Sequence, residues 1–164
     1  ANTIYRPTVI GYNSSIMTQG GTLSASSAGT YSMRFALKDK ENYHWEDGTT
    51  EDKVLTWTIG TARYKLGISN VSSSQYRVYV MNPTGLTRLP KQWDLTVTAG
   101  PSTYFTAELG TISNDGSGQW HGIVTIKKKT STTRKGTLTI KLTYTGTDSN
   151  IDSKPIVSTQ NITL

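Results

Sequence analysis

The sequence predicts an all-β protein of the sandwich or barrel type, and three observations carry that expectation. Apolar residues recur with period two in run after run, the mark of strands with one buried face. The runs are separated at short intervals by Gly, Pro, Asn and Asp pairs of the kind that make turns. Nine Tyr and four Trp stand against two Phe, with abundant Thr and Ser. That usage suits a pleated, half-buried surface better than a helix interior.

The runs follow in order. Tyr31, Met33, Phe35 and Leu37 form the first, then Leu55, Trp57 and Ile59, then Ala62, Tyr64, Leu66 and Ile68. Tyr76, Val78 and Val80 come next, followed by Trp93, Leu95 and Val97, and by Phe105, Ala107 and Leu109. Trp120, Gly122, Val124 and Ile126 lead into the cleanest run, Leu138, Ile140, Leu142 and Tyr144. The two ends, Ile4 to Tyr12 and Ile156 to Leu164, read as further strands. Turns are expected at Gly20-Gly21, Asp47-Gly48, Asn82-Pro83-Thr84-Gly85, Gly100-Pro101, Asn114-Asp115-Gly116 and Lys135-Gly136. With 164 residues and no repeat or linker to divide it, the chain is expected to form one domain over 1–164.

Composition excludes several classes. There is no cysteine, so disulfides and thiolate chemistry are ruled out. No stretch approaches the roughly 20 apolar residues of a membrane-spanning helix. No signal-peptide pattern is visible, although Ala1 is the small residue that cleavage after an A-x-A-like site leaves behind.

The net charge of +6 is unevenly spread. Between Gly116 and Thr147 stand six basic residues, Lys127, Lys128, Lys129, Arg134, Lys135 and Lys141, and no acid. The remainder of the chain balances at eleven basic and eleven acidic residues. Six acids crowd elsewhere: Asp39, Glu41, Glu46, Asp47, Glu51 and Asp52. Such segregation points to a basic surface facing an anionic partner.

Catalytic motifs are sparse. His44 and His121 are the two histidines; they lack the spacing of a metal pair, and no nucleophile elbow or phosphate-binding glycine loop is present. A two-carboxylate pair can be drawn from the acids between Asp39 and Asp52, but acids in such a loop are ordinarily solvated. No cofactor or metal is expected, and the chain is not expected to be an enzyme.

Two segments are candidates for binding. Tyr43, His44 and Trp45 are flanked by charge and glycine, as a sugar site requires: a ring for the C–H face beside groups for the hydroxyls. The competing reading packs Trp45 inward at the head of a strand. The second segment, Lys127-Lys128-Lys129 through Arg134-Lys135, reads as the tip of a hairpin between two strands. It suits sialic acid, a sulfated sugar or another anion. Lysines at strand ends equally well guard a sheet edge. Nucleic acid is disfavoured, since no recognised binding motif accompanies the charge. The sequons at Asn13, Asn70 and Asn161 are meaningful only in a eukaryotic secretory route.

The run Gly118-Gln-Trp120-His-Gly122 through Lys129, followed by Gly136-Thr-Leu-Thr-Ile-Lys-Leu-Thr-Tyr144, resembles the end of the adhesin domain in tip adhesins of colonisation-factor-type fimbriae of enteric bacteria. More broadly, Gly-x-(Trp/Tyr)-x-Gly before a final strand is similar to chaperone–usher pilin subunits. The resemblance implies an Ig-like or elongated fold, so the expected architecture is an Ig-like/jelly-roll-type β-sandwich of about 8–10 strands. In it, Gly122 permits close packing after Trp120, and the long Thr-rich strand pairs back on its predecessor. The resemblance also implies export through the periplasm, a chaperone and neighbouring pilin subunits as partners, and an acidic host glycan or glycoprotein bound at Lys129 and its neighbours with Arg134. Lysines stand where the family carries arginines, which weakens bidentate grip on a carboxylate. Many such adhesins also carry disulfides, which this chain lacks.

The C-terminal segment 150–164 alternates well enough to be a donor-type strand, a linker into a further domain or an ordinary last strand. The expected function is therefore an extracellular, non-catalytic fimbrial adhesin domain binding host-cell glycans. A structural pilin assembled by donor-strand complementation is the alternative, and a carbohydrate- or receptor-binding module of another secreted or viral protein is a third.

Overall fold

Eleven strands and no helix are found among the described residues, 3–84 and 91–164, of this computed structural model. Ala1 and Gly85, the last residue of the Asn82-Pro83-Thr84-Gly85 turn signal, lie outside the described residues. Among those described, no helix is long and apolar enough to cross a membrane. The chain divides into two units, Ala1–Thr61 and Ala62–Leu164. The division falls at Gly60-Thr61-Ala62, where the sequence carries no linker composition.

The first unit is built on an antiparallel sheet ordered β1-β2-β3, with β1 Met17–Gly21, β2 Gly29–Leu37 and β3 Lys53–Ile59. Met33, Phe35 and Leu37 of β2 are buried, and Tyr12 packs on Phe35 at 6.0 Å between ring centroids. The sequence missed β1, because Met-Thr-Gln-Gly-Gly does not alternate and its glycines read as a turn. Pairing with β2 from Met17↔Leu37 to Gly21↔Met33 supplies what local pattern does not. Gly21 ends the strand at φ +80°, where a Cβ would stand 2.6 Å from the Ser32 carbonyl oxygen. Only glycine fits there.

The strand expected over Ile4 to Tyr12 does not form. That segment makes a single bridge, Tyr5 to Ala25. Pro7 has no N–H to donate and Gly11 takes φ +85°, so the ladder is not extended.

The second unit is a sandwich of two antiparallel sheets. One is ordered β11-β10-β6, with β6 Trp93–Gly100, β10 Lys135–Tyr144 and β11 Ile156–Thr163. The other is ordered β4-β5-β9-β7, with β4 Lys65–Asn70, β5 Gln75–Met81, β7 Phe105–Leu109 and β9 Gln119–Lys128. The short β8, Ser113–Asn114, pairs with β9 beyond the end of β7. Tyr76, Val78, Val124 and Ile126 from the larger sheet meet Ala99, Leu138, Ile140 and Ile162 from the smaller, with Phe105 between them. Each of these large side chains contributes about 1.5–3 kcal/mol by leaving water. The alternation read from the sequence is the inward face of both sheets. Ala62 and Tyr64 fall just outside β4: Ala62 bridges Ile151, and Tyr64 is buried.

One pairing differs from expectation. β10 does not pair back on β9; it pairs with β6 and β11 in the opposite sheet. The connection 129–134 is therefore an arch between layers, not a hairpin. Both strands carry a full set of inward apolar residues, and placing one in each sheet buries both sets against each other. The C-terminal segment is the outer strand of the smaller sheet, in register with β10 from Lys135↔Thr163 to Leu142↔Ile156.

Candidate functional site

The arch and its neighbours gather the basic residues. Lys129 donates from its backbone to the Tyr104 carbonyl at 2.8 Å and from Nζ to the Ser102 carbonyl at 2.7 Å. Arg134 exchanges backbone hydrogen bonds with Leu164, at 2.7 and 3.0 Å, and its guanidinium carbon lies 4.8 Å from the Tyr104 ring centroid. The turn between β6 and β7, the arch between β9 and β10 and the end of β11 thus converge at one end of the second unit.

Strand phase sorts the lysines. Lys128 continues the inward set of Trp120, Gly122, Val124 and Ile126 and is half-buried, opposite Phe105. Lys127 lies on the outer face, where Glu108 accepts from its Nζ at 2.7 and 2.8 Å. Lys135 is exposed opposite Thr163. Among the described residues, Lys128, Lys129, Arg134 and Lys135 have no acid within ion-pair distance. β9 lies between β5 and β7, and β10 between β11 and β6, but Lys128 lies beyond the pairing with β5 and Lys135 beyond the pairing with β6, so at these strand ends each is paired on one side. By sequence, the second unit holds twelve basic and five acidic residues, a net charge of +7, and the first unit a net −1. Sequence reading found the lysines but missed Tyr104, whose role depends on the turn that brings it under Arg134.

The second predicted segment lies in the first unit, in the loop between β2 and β3. Trp45 is half-buried and held by its own loop: its Nε1 donates to the Glu51 carbonyl at 2.6 Å, and its backbone N to Thr49 at 2.8 Å. Tyr43 and His44 are exposed. A shallow concavity of about 450 Å³ is lined by Trp45, Glu46, Asp47 and Lys53.

The acids of this loop hold it in shape. Asp47 accepts from Lys53 Nζ and from the Thr49 hydroxyl, and these bonds keep its carboxyl far below the usual range. Asp52 lies between Lys40 at 3.2 Å and Arg34 at 2.6 Å, which lower it in the same sense. Asp39 is lowered by the Asn42 amide and by backbone N–H groups of the following turn. Carboxylates held this firmly in the ionised form are poor proton donors near neutral pH.

The first unit also carries a groove that sequence reading did not single out. Tyr5, Arg6 and Pro7 line it on one side, and Trp57, Thr58, Ile59 and Gly60 on the other. Trp57 read as an inward strand residue, and only the place of β3 at the end of its sheet gives it a share in a surface. No protein-family model, no curated protein and no solved structure matches this chain.

Proposed function

We propose that this chain is an extracellular, non-catalytic adhesin domain of the fimbrial type, which attaches to acidic glycans of a host cell through the arch end of its second unit. The observation that carries the reading is that Lys129 and Arg134 meet at Tyr104, with Lys128 and Lys135 adjoining them at the strand ends, and that among the described residues no acid lies within ion-pair distance of these four. Cations on a fixed backbone raise the local concentration of an anionic ligand. An aromatic ring beside them supplies the apolar face that a sugar needs. Export through the periplasm with a chaperone, and assembly with neighbouring pilin subunits, belong to the same proposal.

A glycan array tests it, run on the unaltered chain and on a Lys127/Lys128/Lys129→Ala variant. Binding to sialylated or sulfated glycans that is lost in the variant supports the reading. Acidic-glycan binding that survives the triple change removes the site assignment. No glycan binding at all favours a structural subunit.

A further inference from the structure

The groove between the N-terminal segment and β3 is a site of a different make. Its floor is prepared before any ligand arrives. The Trp57 ring stacks on Tyr31 from the neighbouring strand, with centroids 4.9 Å apart and an angle of 34°. Each ring is tethered at its polar atom: Trp57 Nε1 donates to the Thr22 carbonyl at 2.9 Å, and the Tyr31 hydroxyl to the Ser27 carbonyl at 2.6 Å. With its N–H used, Trp57 offers a ligand only its apolar surface. Ordering these rings is done by the fold and not by the ligand, which lowers what association must overcome.

The opposite wall is held by the Tyr5–Ala25 bridge, with bonds of 2.8 and 3.1 Å. Tyr5 is 50% exposed and Arg6 is exposed. Among the described residues no acid lies within ion-pair distance of Arg6, and no acid lines the groove. The cavity measures about 460 Å³, within the span of roughly 300–1,000 Å³ usual for small-molecule sites. An apolar ring surface, a second ring at its rim, a hydroxyl on Thr58 and an unneutralised guanidinium define a ligand with one C–H face and one anionic group.

We propose that this groove binds a carboxylate-bearing pyranose, its C–H face on Trp57 and its carboxylate on Arg6. The site shares with the arch only the class of ligand, and the titration reads the two residue sets separately.

The experiment is a titration of the ¹⁵N-labelled chain with sodium glucuronate and, separately, with neutral methyl glucoside, observing the Trp57 indole N–H and Arg6 Nε–H resonances. Glucuronate is expected to shift both and to bind more tightly than the glucoside. Arg6→Gln, at an exposed position, is expected to weaken glucuronate about tenfold and leave the glucoside unchanged. Tyr5→Ala is expected to weaken both sugars. Circular dichroism of each variant confirms that it is folded. Absence of shifts at Trp57 and Arg6, or equal affinity for the two sugars, overturns the proposal. Shifts confined to Lys128, Lys129, Arg134 and Lys135 overturn it too, while leaving the arch reading intact. Shifts confined to the groove support this site and count against the arch.

Discussion

Arg134 lays its guanidinium over the ring of Tyr104, 4.8 Å from the centroid, and so joins the arch between the two sheets to the turn that precedes β7. Arg134 is exposed and Tyr104 half-buried, so the expected worth of the contact is about 0.5–1 kcal/mol. Tyr104→Leu should lower the thermal midpoint by no more than a few degrees while weakening acidic-glycan binding. A variant that melts lower but binds fully would show that Tyr104 serves stability alone.

Gly136 sits where no side chain fits. A Cβ there would collide with the Gly100 carbonyl oxygen and would stand 2.6 Å from Phe105 Cε2. Since backbone and a buried ring must both move, Gly136→Ala should cost about 2 kcal/mol or more. Gly20 has open space around its Cβ position and no left-handed φ, so Gly20→Ala should be neutral or slightly stabilising. Denaturant unfolding of the two variants side by side checks the contrast.

One end of the second unit's interior gathers several aromatic rings and buried polar atoms. Trp93 meets Trp120 edge-on at 5.9 Å, in a cluster with Tyr64 and Leu142. Both indole N–H groups, the Tyr64 hydroxyl and the Asn82 amide are buried with no hydrogen-bond partner among the described residues. Removing a bonded polar group from a protein interior costs about 1–3 kcal/mol, and removing an unbonded one does not. Asn82→Leu and Trp93→Phe should therefore be milder than such deletions usually are, whereas Trp93→Ala should cost about 3–5 kcal/mol through the cavity it opens. Thermal melts of the three variants decide it, and a large loss for Asn82→Leu would contradict the expectation.

Acid should loosen the loop that carries Trp45. The folded-state pKa values of Asp39, Asp47 and Asp52 are lowered, so their ionised forms stabilise the fold. That contribution is complete above the unfolded value of about 3.9 and is lost as pH falls below it toward the folded values. The groups are exposed, so added salt should shrink the effect. Following the Trp45 indole resonance through an acid titration, with and without Asp47→Asn, measures it. An Asp47→Asn loop that responds to acid like the unaltered one would refute the assignment.

The period-two pattern was legible because burial acts on every second residue of a strand wherever that strand lies. Nine of the eleven strands, all but β1 and β8, follow from runs such as Leu138 to Tyr144 or Tyr76 to Val80 or from the end segment Ile156 to Leu164. β1 and β8 were not legible, since Met-Thr-Gln-Gly-Gly and Ser-Asn carry no periodicity and exist through pairing with a partner. The same limit explains the N-terminal segment, where apolar residues alternate but Pro7 and Gly11 stop a ladder from forming. For the candidate sites, the lysines and Trp45 stood out by type. Tyr104, Arg6 and Trp57 did not, because a ring matters to a ligand only where its surroundings leave it reachable.

By itself, the sequence determined the all-β class, the inward face of most strands and the segregation of positive charge toward the C-terminal part. Alternation and charge are properties of residues and their neighbours in the chain, and they survive any arrangement of the strands. Tertiary structure alone decided which strands pair. It set β9 and β10 in opposite sheets, turned an expected hairpin into an arch and carried Lys129 and Arg134 to Tyr104. Pairing is a competition among many strands of similar pattern, settled by which arrangement buries every inward face at once. No single segment of the sequence contains that comparison.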